Sequence, residues 1–140
     1  MSLMKKLGKL VGETLGSTLT EKLVKGSSGK ASQRISEPGF DVVGESHYQD
    51  NIDKIAGGKT EEGHELQVDA ILVREPSNQY DKNAVRVDVN GMTVGYLDRA
   101  SAKTYIRKYG DVTTISSAVV VGGWKRGRKD SGSYGVRLVS

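Results

Sequence analysis

Residues 74–87, REPSNQYDKNAVRV, place several chemically useful side chains in one short loop between two apolar strands. Tyr80 can stack on an unpaired base, a contact worth roughly 1–3 kcal/mol. Asp81 can accept a hydrogen bond from a hydroxyl, and it repels a phosphate by like charge. Lys82 can contact a phosphate, and Asn78 can either contact a ligand or close the turn through a side-chain-to-backbone bond. This combination favours a binding surface over a plain connection.

The same loop does not fit a catalytic centre. Glu75, Asp81 and Lys82 are the residue types of a metal-dependent nuclease, which needs its acid and lysine two residues apart on one face of a strand. Adjacent residues of an extended chain point to opposite faces. The two histidines, His47 and His64, lack the spacing of a helical zinc site, and no glycine-rich segment has the frame of a phosphate-binding loop. We therefore expect no catalytic residue, metal or cofactor.

Aromatic residues elsewhere in the chain are candidates for the same surface. His47 and Tyr48 follow the first expected strand of the domain, and Tyr96 continues the alternation of residues 92 and 94 in a later strand. Tyr48 and Tyr96 fit a core position as well as a surface position. His47 also fits a simple loop residue. The sequence leaves these alternatives open.

The composition is that of one modest domain with short extensions: 140 residues, 36% hydrophobic, with 18 glycines and 2 prolines. The absence of cysteine excludes disulfides, thiolate metal sites and a cysteine nucleophile, and it suits a reducing, cytoplasmic location. Nothing resembles a secretory signal. No stretch approaches the ~20 apolar residues that span a bilayer.

The net charge of +4 is unevenly distributed along the chain. Residues 1–39 carry +4, residues 40–110 carry −3 from 9 Lys or Arg against 12 Asp or Glu, and residues 111–140 carry +3. Any phosphate binding must therefore use local patches rather than the global field. One basic segment, which also fits a solvated hairpin tip, supplies candidate phosphate contacts: Lys125, Arg126, Arg128 and Lys129.

The chain divides into three parts. Residues 1–25 form an expected amphipathic N-terminal helix, because leucines and valines recur at spacings of three and four. Its functional interpretations are self-association or contact with a membrane surface. The alternative is a helix that docks on its own domain or is frayed in solution. Residues 26–39, GSSGKASQRISEPG, have the composition of a flexible linker. Residues 40–140 form the domain proper.

The domain alternates apolar segments with turn signals. Six strands are expected, in FDVVGE, HELQVDAILV, AVRVDV, MTVGYL, TTISSAVVVGGW and SYGVRLV, with YQDNIDKIA as a short helix. Asn90-Gly91 predicts a type I′ hairpin. Asp98 and Gly110 fit the N-cap and the end of a second helix. About six strands and one or two short helices favour a mainly β fold, a small and strongly curved barrel.

Two segments together resemble a HIRAN domain: FDVVGESHYQ and LVREPSNQYDKNAVRVDVNGMTVGYLDRASA. That module occurs at the N-terminus of Swi/Snf-type DNA translocases that act in fork remodelling, and as a stand-alone protein in bacteria. The resemblance implies an OB-like β-barrel that binds single-stranded DNA, and the eukaryotic members capture a free 3′-hydroxyl end. It also implies a role in DNA repair or replication and a DNA-processing protein as a partner.

The resemblance assigns roles to residues of the loop. Tyr80 matches a tyrosine that stacks on a terminal base, and Asp81 matches an acid that accepts a hydrogen bond from the 3′-hydroxyl. Asn78 matches a nearby polar contact. Arg99 retains a basic residue that follows VGYL, and Tyr48 is shared with the eukaryotic members.

The chain departs from the eukaryotic members on the other side of the implied pocket. Ser46 and His47 stand where those members carry an arginine and a tyrosine, and Tyr96 stands where they carry a histidine. The lost arginine removes a phosphate partner, whereas His47 can still stack.

The expected function is therefore that of a non-catalytic module that binds single-stranded DNA at a 3′-hydroxyl end. The alternative is a peripheral-membrane or scaffold adaptor, in which the N-terminal helix is the anchor and the barrel binds a protein. The candidate nucleic-acid-binding residues are His47, Tyr48, Asn78, Tyr80, Asp81, Lys82, Tyr96 and Arg99.

Overall fold

The computed structural model describes residues 31–140. The amphipathic helix expected for residues 1–25, and the anchor of the adaptor hypothesis with it, lie outside the described residues. No helix within the described part of the chain is long and apolar enough to cross a membrane. The elements are β1 (Gln33–Ile35), β2 (Val42–Val43), a 3-10 turn (Glu45–His47), α1 (Gln49–Ala56), β3 (His64–Arg74), β4 (Val85–Val89), β5 (Met92–Leu97), α2 (Arg99–Tyr109), β6 (Thr114–Gly122), β7 (Lys125–Gly127), β8 (Asp130–Ser131) and β9 (Tyr134–Leu138).

Seven strands form one mainly antiparallel sheet that curls into a half-barrel. Its order is β1-β6-β3-β4-β5-β2, and β9 also pairs with β6. Strand β6 is long enough to pair with β9 through residues 118–122 and with β1, in parallel, through residues 114–116. The expected mainly β fold with one or two short helices is confirmed, with two α-helices among the described residues. The sheet is a half-barrel rather than the expected barrel.

On the open side of the half-barrel, side chains rather than strand pairing connect β9 to the 3-10 turn and α1. The Gln49 amide accepts from the backbone N–H of Tyr134 at 2.8 Å and donates to the carbonyl of Tyr134 at 3.1 Å. The Glu45 carboxylate accepts from the N–H of Val136 at 3.2 Å. These contacts satisfy backbone groups on the outer edge of β9 and tie that edge to the 3-10 turn and α1.

The core lies inside the curl, where the expected alternation of β4 is confirmed. Val85, Val87 and Val89 are fully buried. Tyr105 of α2 is also buried, and its hydroxyl donates to the carbonyl of Val112 at 2.6 Å, so the ring packs in the core without an unsatisfied polar atom. Asp98 caps α2 by accepting from the backbone N–H of Ser101 at 2.8 Å, as expected.

Two glycines, Gly91 and Gly95, determine how β5 meets the neighbouring strands β4 and β2. Asn90 and Gly91 both have positive φ, at 53° and 76°, and they connect β4 to β5 in the expected hairpin. Gly95 allows β2 to approach closely: a Cβ there would lie 2.7 Å from the carbonyl oxygen of Val43 and 2.8 Å from Cγ1 of Val42. This contact places the 3-10 turn, which ends at His47, and the following Tyr48 over β5.

The structure differs from expectation in the segment 26–39, which was interpreted as a linker. Within its described part, β1 pairs with β6 and Ile35 joins the core. Glu37 then accepts from Lys108 and from the Tyr109 hydroxyl, the latter at 2.7 Å. The polar composition of this segment does not indicate a strand. Strand β1 forms because it pairs with β6, which lies about 80 residues away in the sequence.

The number of strands also exceeds the expected six. The described residues form nine, because β1 lies in the expected linker and because β7 and β8 lie in the basic segment that was expected to be a connection. The first expected strand is shorter than its apolar sequence suggested: β2 covers only Val42–Val43, and the left-handed Gly44 turns the chain into the 3-10 turn.

Candidate nucleic-acid interface

The loop between β3 and β4 has a defined shape, set by its own hydrogen bonds. The side-chain oxygen of Asn78 accepts from the backbone N–H groups of Tyr80 at 2.8 Å and Asp81 at 3.1 Å. The carbonyl of Asp81 accepts from the N–H of Ala84 at 3.0 Å, and the N–H of Glu75 donates to the carbonyl of Ala84 at 2.9 Å. Asparagine is suited to this role because its short amide mimics a backbone turn.

Three side chains project from this framework. Tyr80 is 81% exposed, the most exposed of the large hydrophobic residues in the described chain. Oδ1 of Asp81, the next residue, accepts from the backbone N–H of Asn83 at 2.9 Å, which orients its half-buried carboxyl group. Lys82 is exposed, and its carbonyl accepts from Nη2 of Arg74 at 3.4 Å. Three consecutive residues of the loop thus provide an exposed aromatic ring, a hydrogen-bonded carboxylate and an exposed cation.

Glu75 connects this loop to the sheet. Its carboxylate accepts from Nδ2 of Asn78 at 2.8 Å, from the hydroxyl of Tyr96 at 2.8 Å and from Nη1 of Arg86 at 2.9 Å. Partial burial alone would raise the pKa of Glu75, but these hydrogen bonds outweigh it and hold that pKa below its ordinary value. Glu75 is therefore ionised near neutral pH and occupied by donors, which leaves it unsuited to hold a metal ion.

An aromatic cluster stands on the other side of Glu75. The rings of Tyr96 and Tyr48 lie 6.4 Å apart at 45°, and those of Tyr48 and His47 lie 6.5 Å apart, edge to face. His47 is exposed, whereas Tyr48 and Tyr96 are half-buried. Burial and the hydrogen bond to Glu75 raise the pKa of Tyr96, so its hydroxyl remains a donor.

Most of the residues expected to form a site are thus brought together. Tyr80, Asp81 and Lys82 lie on the loop, His47 and Tyr48 lie on the 3-10 turn and its exit, and Tyr96 lies between them. Asn78 and Tyr96, however, use their polar groups within the protein: Asn78 shapes the loop, and Tyr96 binds Glu75. Arg99 is exposed at the first residue of α2, just beyond β5.

The basic residues of the β7–β8 hairpin, which lie in β7 and in the turn after it, are elsewhere. Lys125 is bonded to Thr60, just before β3, whereas the Tyr80 loop follows the last residue of β3. An eleven-residue strand spans about 33 Å at its usual rise, so the two features are at opposite ends of β3. Arg126 is also paired with Asp130, and its guanidinium lies 5.6 Å from the Trp124 ring.

Two charged residues of β4 support the site and were not singled out from the sequence. Arg86 binds both Glu75 and Asp88, and Asp88, which also accepts from the Thr93 hydroxyl at 3.0 Å, is only 1% exposed. The alternation of β4 correctly places Arg86 and Asp88 opposite the core face, yet nothing local shows that the loop and β5 cover them. From the sequence, Glu75 is a candidate only as a residue type for catalysis.

No group of three or more His, Cys, Asp or Glu residues in the described part of the chain could hold a metal ion. Asp81 and Glu75, the acids of the rejected nuclease arrangement, are bonded to Asn83 and to the Asn78–Tyr96–Arg86 donors respectively. The arrangement can instead present a ring, a carboxylate and a cation to an incoming ligand.

A half-barrel with an exposed aromatic ring on its loop is better suited to binding than to catalysis. The model of the HIRAN domain matches residues 37–121, which is more than half of the 140 residues. The chain therefore belongs to the HIRAN domain family, as its motifs indicated. HIRAN domains are nucleic-acid-binding modules that bind DNA and are not catalytic by themselves. No curated protein and no solved structure matched the chain.

Proposed function

We propose that this protein binds single-stranded DNA at a 3′-hydroxyl end, and that the loop carrying Tyr80, Asp81 and Lys82 recognises that end. The observation that carries the proposal is the pairing of an 81% exposed Tyr80 with the fixed carboxyl group of Asp81. A ring in that position gains little for the fold. It is available to stack on a base, and the neighbouring carboxyl group is close enough in sequence to meet the sugar of the same nucleotide.

Asp81 gives the proposed site its choice between DNA ends. Its carboxylate accepts a hydrogen bond from a 3′-hydroxyl, whereas a 3′-phosphate brings negative charge against it. Because Oδ1 is already engaged by the N–H of Asn83, the hydroxyl would use the other carboxyl oxygen. An ion-pair partner for Asp81 does not occur within the described chain, so its charge is not neutralised locally.

The rest of the strand would be held by groups around the loop. His47 is exposed beside the Tyr48 ring and can stack on a second base. Lys82 and Arg99 are exposed cations that can contact phosphates, and Ser46 offers only a hydroxyl in place of an arginine. With the acidic residues of 40–110 nearby, affinity should depend on stacking as well as on charge, and it should be greatest at low salt.

The direct test is fluorescence anisotropy with strands of about ten nucleotides, within the roughly 4–16 that one OB-type fold covers. The full chain should bind a 3′-hydroxyl strand more tightly than the same strand with a 3′-phosphate. Asp81→Asn keeps an oxygen that can accept from Asn83 but removes the charge, so it should shrink this preference. Asp69→Asn removes an exposed carboxylate charge on β3 and should leave the preference unchanged.

The outcomes separate the parts of the proposal. Equal affinity of the wild-type chain for the two strands would refute end recognition. Absence of binding at low salt would refute the DNA proposal for this protein, since phosphate-driven affinity is highest there. If Asp69→Asn changed the preference as much as Asp81→Asn, the effect would be one of overall charge and not of the loop.

A further inference from the structure

A continuous chain of contacts runs from the Tyr80 loop to the aromatic cluster. The backbone N–H groups of Tyr80 and Asp81 bind Asn78, Asn78 binds Glu75, Glu75 binds the Tyr96 hydroxyl, and the Tyr96 ring contacts that of Tyr48. We propose that Glu75 and Tyr96 are positioning residues, which fix the Tyr80 loop relative to the Tyr48–His47 surface without touching DNA. The inference rests on the proposed function and names what sets the geometry of its site.

Glu75 is suited to this role because one carboxylate satisfies donors from three directions. Asn78 donates from the loop, Arg86 from β4 and Tyr96 from β5. Hydrogen bonds to an ionised acceptor are stronger and shorter than neutral ones. Two of the three donors belong to paired strands, so the carboxylate transfers the rigidity of the sheet to a loop that otherwise makes mostly internal bonds.

Tyr96 is held in place by contacts within the protein. It lies directly opposite Arg86 on β4 and Val43 on β2, so it stands in the middle of a cross-strand row. Its hydroxyl is bonded to Glu75, and its ring is half-buried against Tyr48. Because both its ring and its hydroxyl are held by neighbours, Tyr96 is suited to connect the Tyr80 loop with the Tyr48–His47 surface.

The chain offers a matched control for the Tyr96 hydroxyl. The hydroxyl of Tyr134 donates to Oδ1 of Asp53 at 2.6 Å, which is the same chemistry. Tyr134 pairs with Gly122, and Gly122 pairs with His64 at the start of β3, opposite to the end that carries the Tyr80 loop. Tyr96→Phe and Tyr134→Phe therefore each remove one tyrosine–carboxylate hydrogen bond, and only the first lies in the chain of contacts.

The first measurement uses the full chain without DNA, by amide hydrogen exchange resolved at single residues. Tyr96→Phe should raise the exchange of the Tyr80 and Asp81 amides by about tenfold relative to wild type, the effect of losing one hydrogen bond to a charged group. Tyr134→Phe should leave these two amides unchanged. Unchanged exchange in Tyr96→Phe, or an equal change in both variants, would overturn the inference.

The second measurement is the anisotropy comparison of 3′-hydroxyl and 3′-phosphate strands. Tyr96→Phe should lower affinity for the hydroxyl strand and reduce the preference between ends, at a melting temperature close to that of Tyr134→Phe. A faster-exchanging loop with an unaltered preference would overturn the inference, because the loop would then not need to be positioned. If the wild-type chain bound neither strand, the proposed function would fail, while amide exchange would still decide whether Tyr96 holds the loop.

Glu75 is tested by replacements that differ in length. Glu75→Gln keeps an oxygen at the same reach, which can still accept from Tyr96 and Asn78, although it loses the ion pair with Arg86. Glu75→Asp keeps the charge but is one methylene shorter. If Glu75 acts by position, the Tyr80 and Asp81 amides should remain closer to wild type in Glu75→Gln than in Glu75→Asp. Exchange of both amides that matched wild type in the two variants would overturn the positioning role.

Discussion

The side-chain oxygen of Asn78 accepts from the backbone N–H of Tyr80 at 2.8 Å, while Nδ2 of the same residue donates to Glu75. Asn78 therefore faces the loop with its acceptor and the sheet with its donor. This accounts for an asparagine at a position where the family resemblance suggested a polar contact to DNA. Its amide shapes the loop from which Tyr80 projects.

This relationship gives a prediction for Asn78. Asn78→Asp keeps the oxygen that accepts from Tyr80 and Asp81, but it loses the donor and places a second carboxylate against Glu75. Asn78→Ala removes both functions. We expect both variants to weaken binding to single-stranded DNA, and Asn78→Asp to recover at mildly acidic pH, where a protonated carboxyl can donate to Glu75. Anisotropy measured from neutral pH to pH 5 checks this, and an identical pH response of the two variants would contradict it.

Replacement of Tyr80 should weaken DNA binding without lowering the stability of the protein. Because the side chain is 81% exposed, Tyr80→Ala should leave the melting temperature close to that of wild type. Loss of one stacked base should weaken DNA binding by roughly 1–3 kcal/mol. Tyr80→Phe keeps the ring and is the control, with affinity near wild type. A large fall in melting temperature for Tyr80→Ala would instead mean that the ring supports the fold.

Substitution of Gly95, in contrast to that of Tyr80, should lower the stability of the protein. A Cβ at this position would lie 2.7 Å from the carbonyl oxygen of Val43, so β2 must shift. Gly95→Ala is expected to destabilise the protein by about 1–3 kcal/mol, the usual cost of overpacking. It should also move the adjoining 3-10 turn and His47. Urea unfolding measures the first effect and chemical shifts of residues 45–48 the second.

The control for Gly95 is Gly127, where a Cβ would meet nothing within 4 Å. Gly127→Ala should change stability little. If both substitutions had the same small effect, the close approach of β2 to β5 would not be a constraint on the fold.

The contact between Tyr109 and Glu37 predicts a dependence on alkaline pH. Partial burial and the hydrogen bond to Glu37 raise the pKa of Tyr109 from its ordinary value of 10.0 to about 12. The neutral phenol is favoured in the folded state, so its contribution to stability is complete below pH 10 and is lost as the pH rises from 10 to 12.

The measurement is the free energy of unfolding of wild type and Tyr109→Phe across that range. The difference between the two proteins should be constant below pH 10 and should shrink toward pH 12. Comparing the two proteins removes the effects of pH that both of them share. A difference that stayed constant through pH 12 would mean that the hydrogen bond does not persist in solution.

Features that depend on neighbours in sequence could be predicted. The alternation of Val85, Val87 and Val89 gave a buried strand face, Asn90-Gly91 gave a hairpin, and Asp98 gave a helix N-cap, because each depends on local backbone preference or on a simple period. The segment with β1 could not be predicted in this way. Its three residues are polar or charged apart from Ile35, and only the distant edge of β6 makes them a strand.

The same distinction between local and distant determinants applies to the candidate site. The sequence by itself determined the family, the residue types of the loop, and that Tyr80 lies in a polar segment where a core role is implausible. Tertiary structure decided which of those residues face outward: Asn78 and Tyr96 turn their polar groups to the loop and to Glu75. It also places the basic residues of the β7–β8 hairpin at the far end of β3. The physical reason is that side-chain type is fixed by the chain, whereas a hydrogen-bond partner 21 residues away is fixed by strand register.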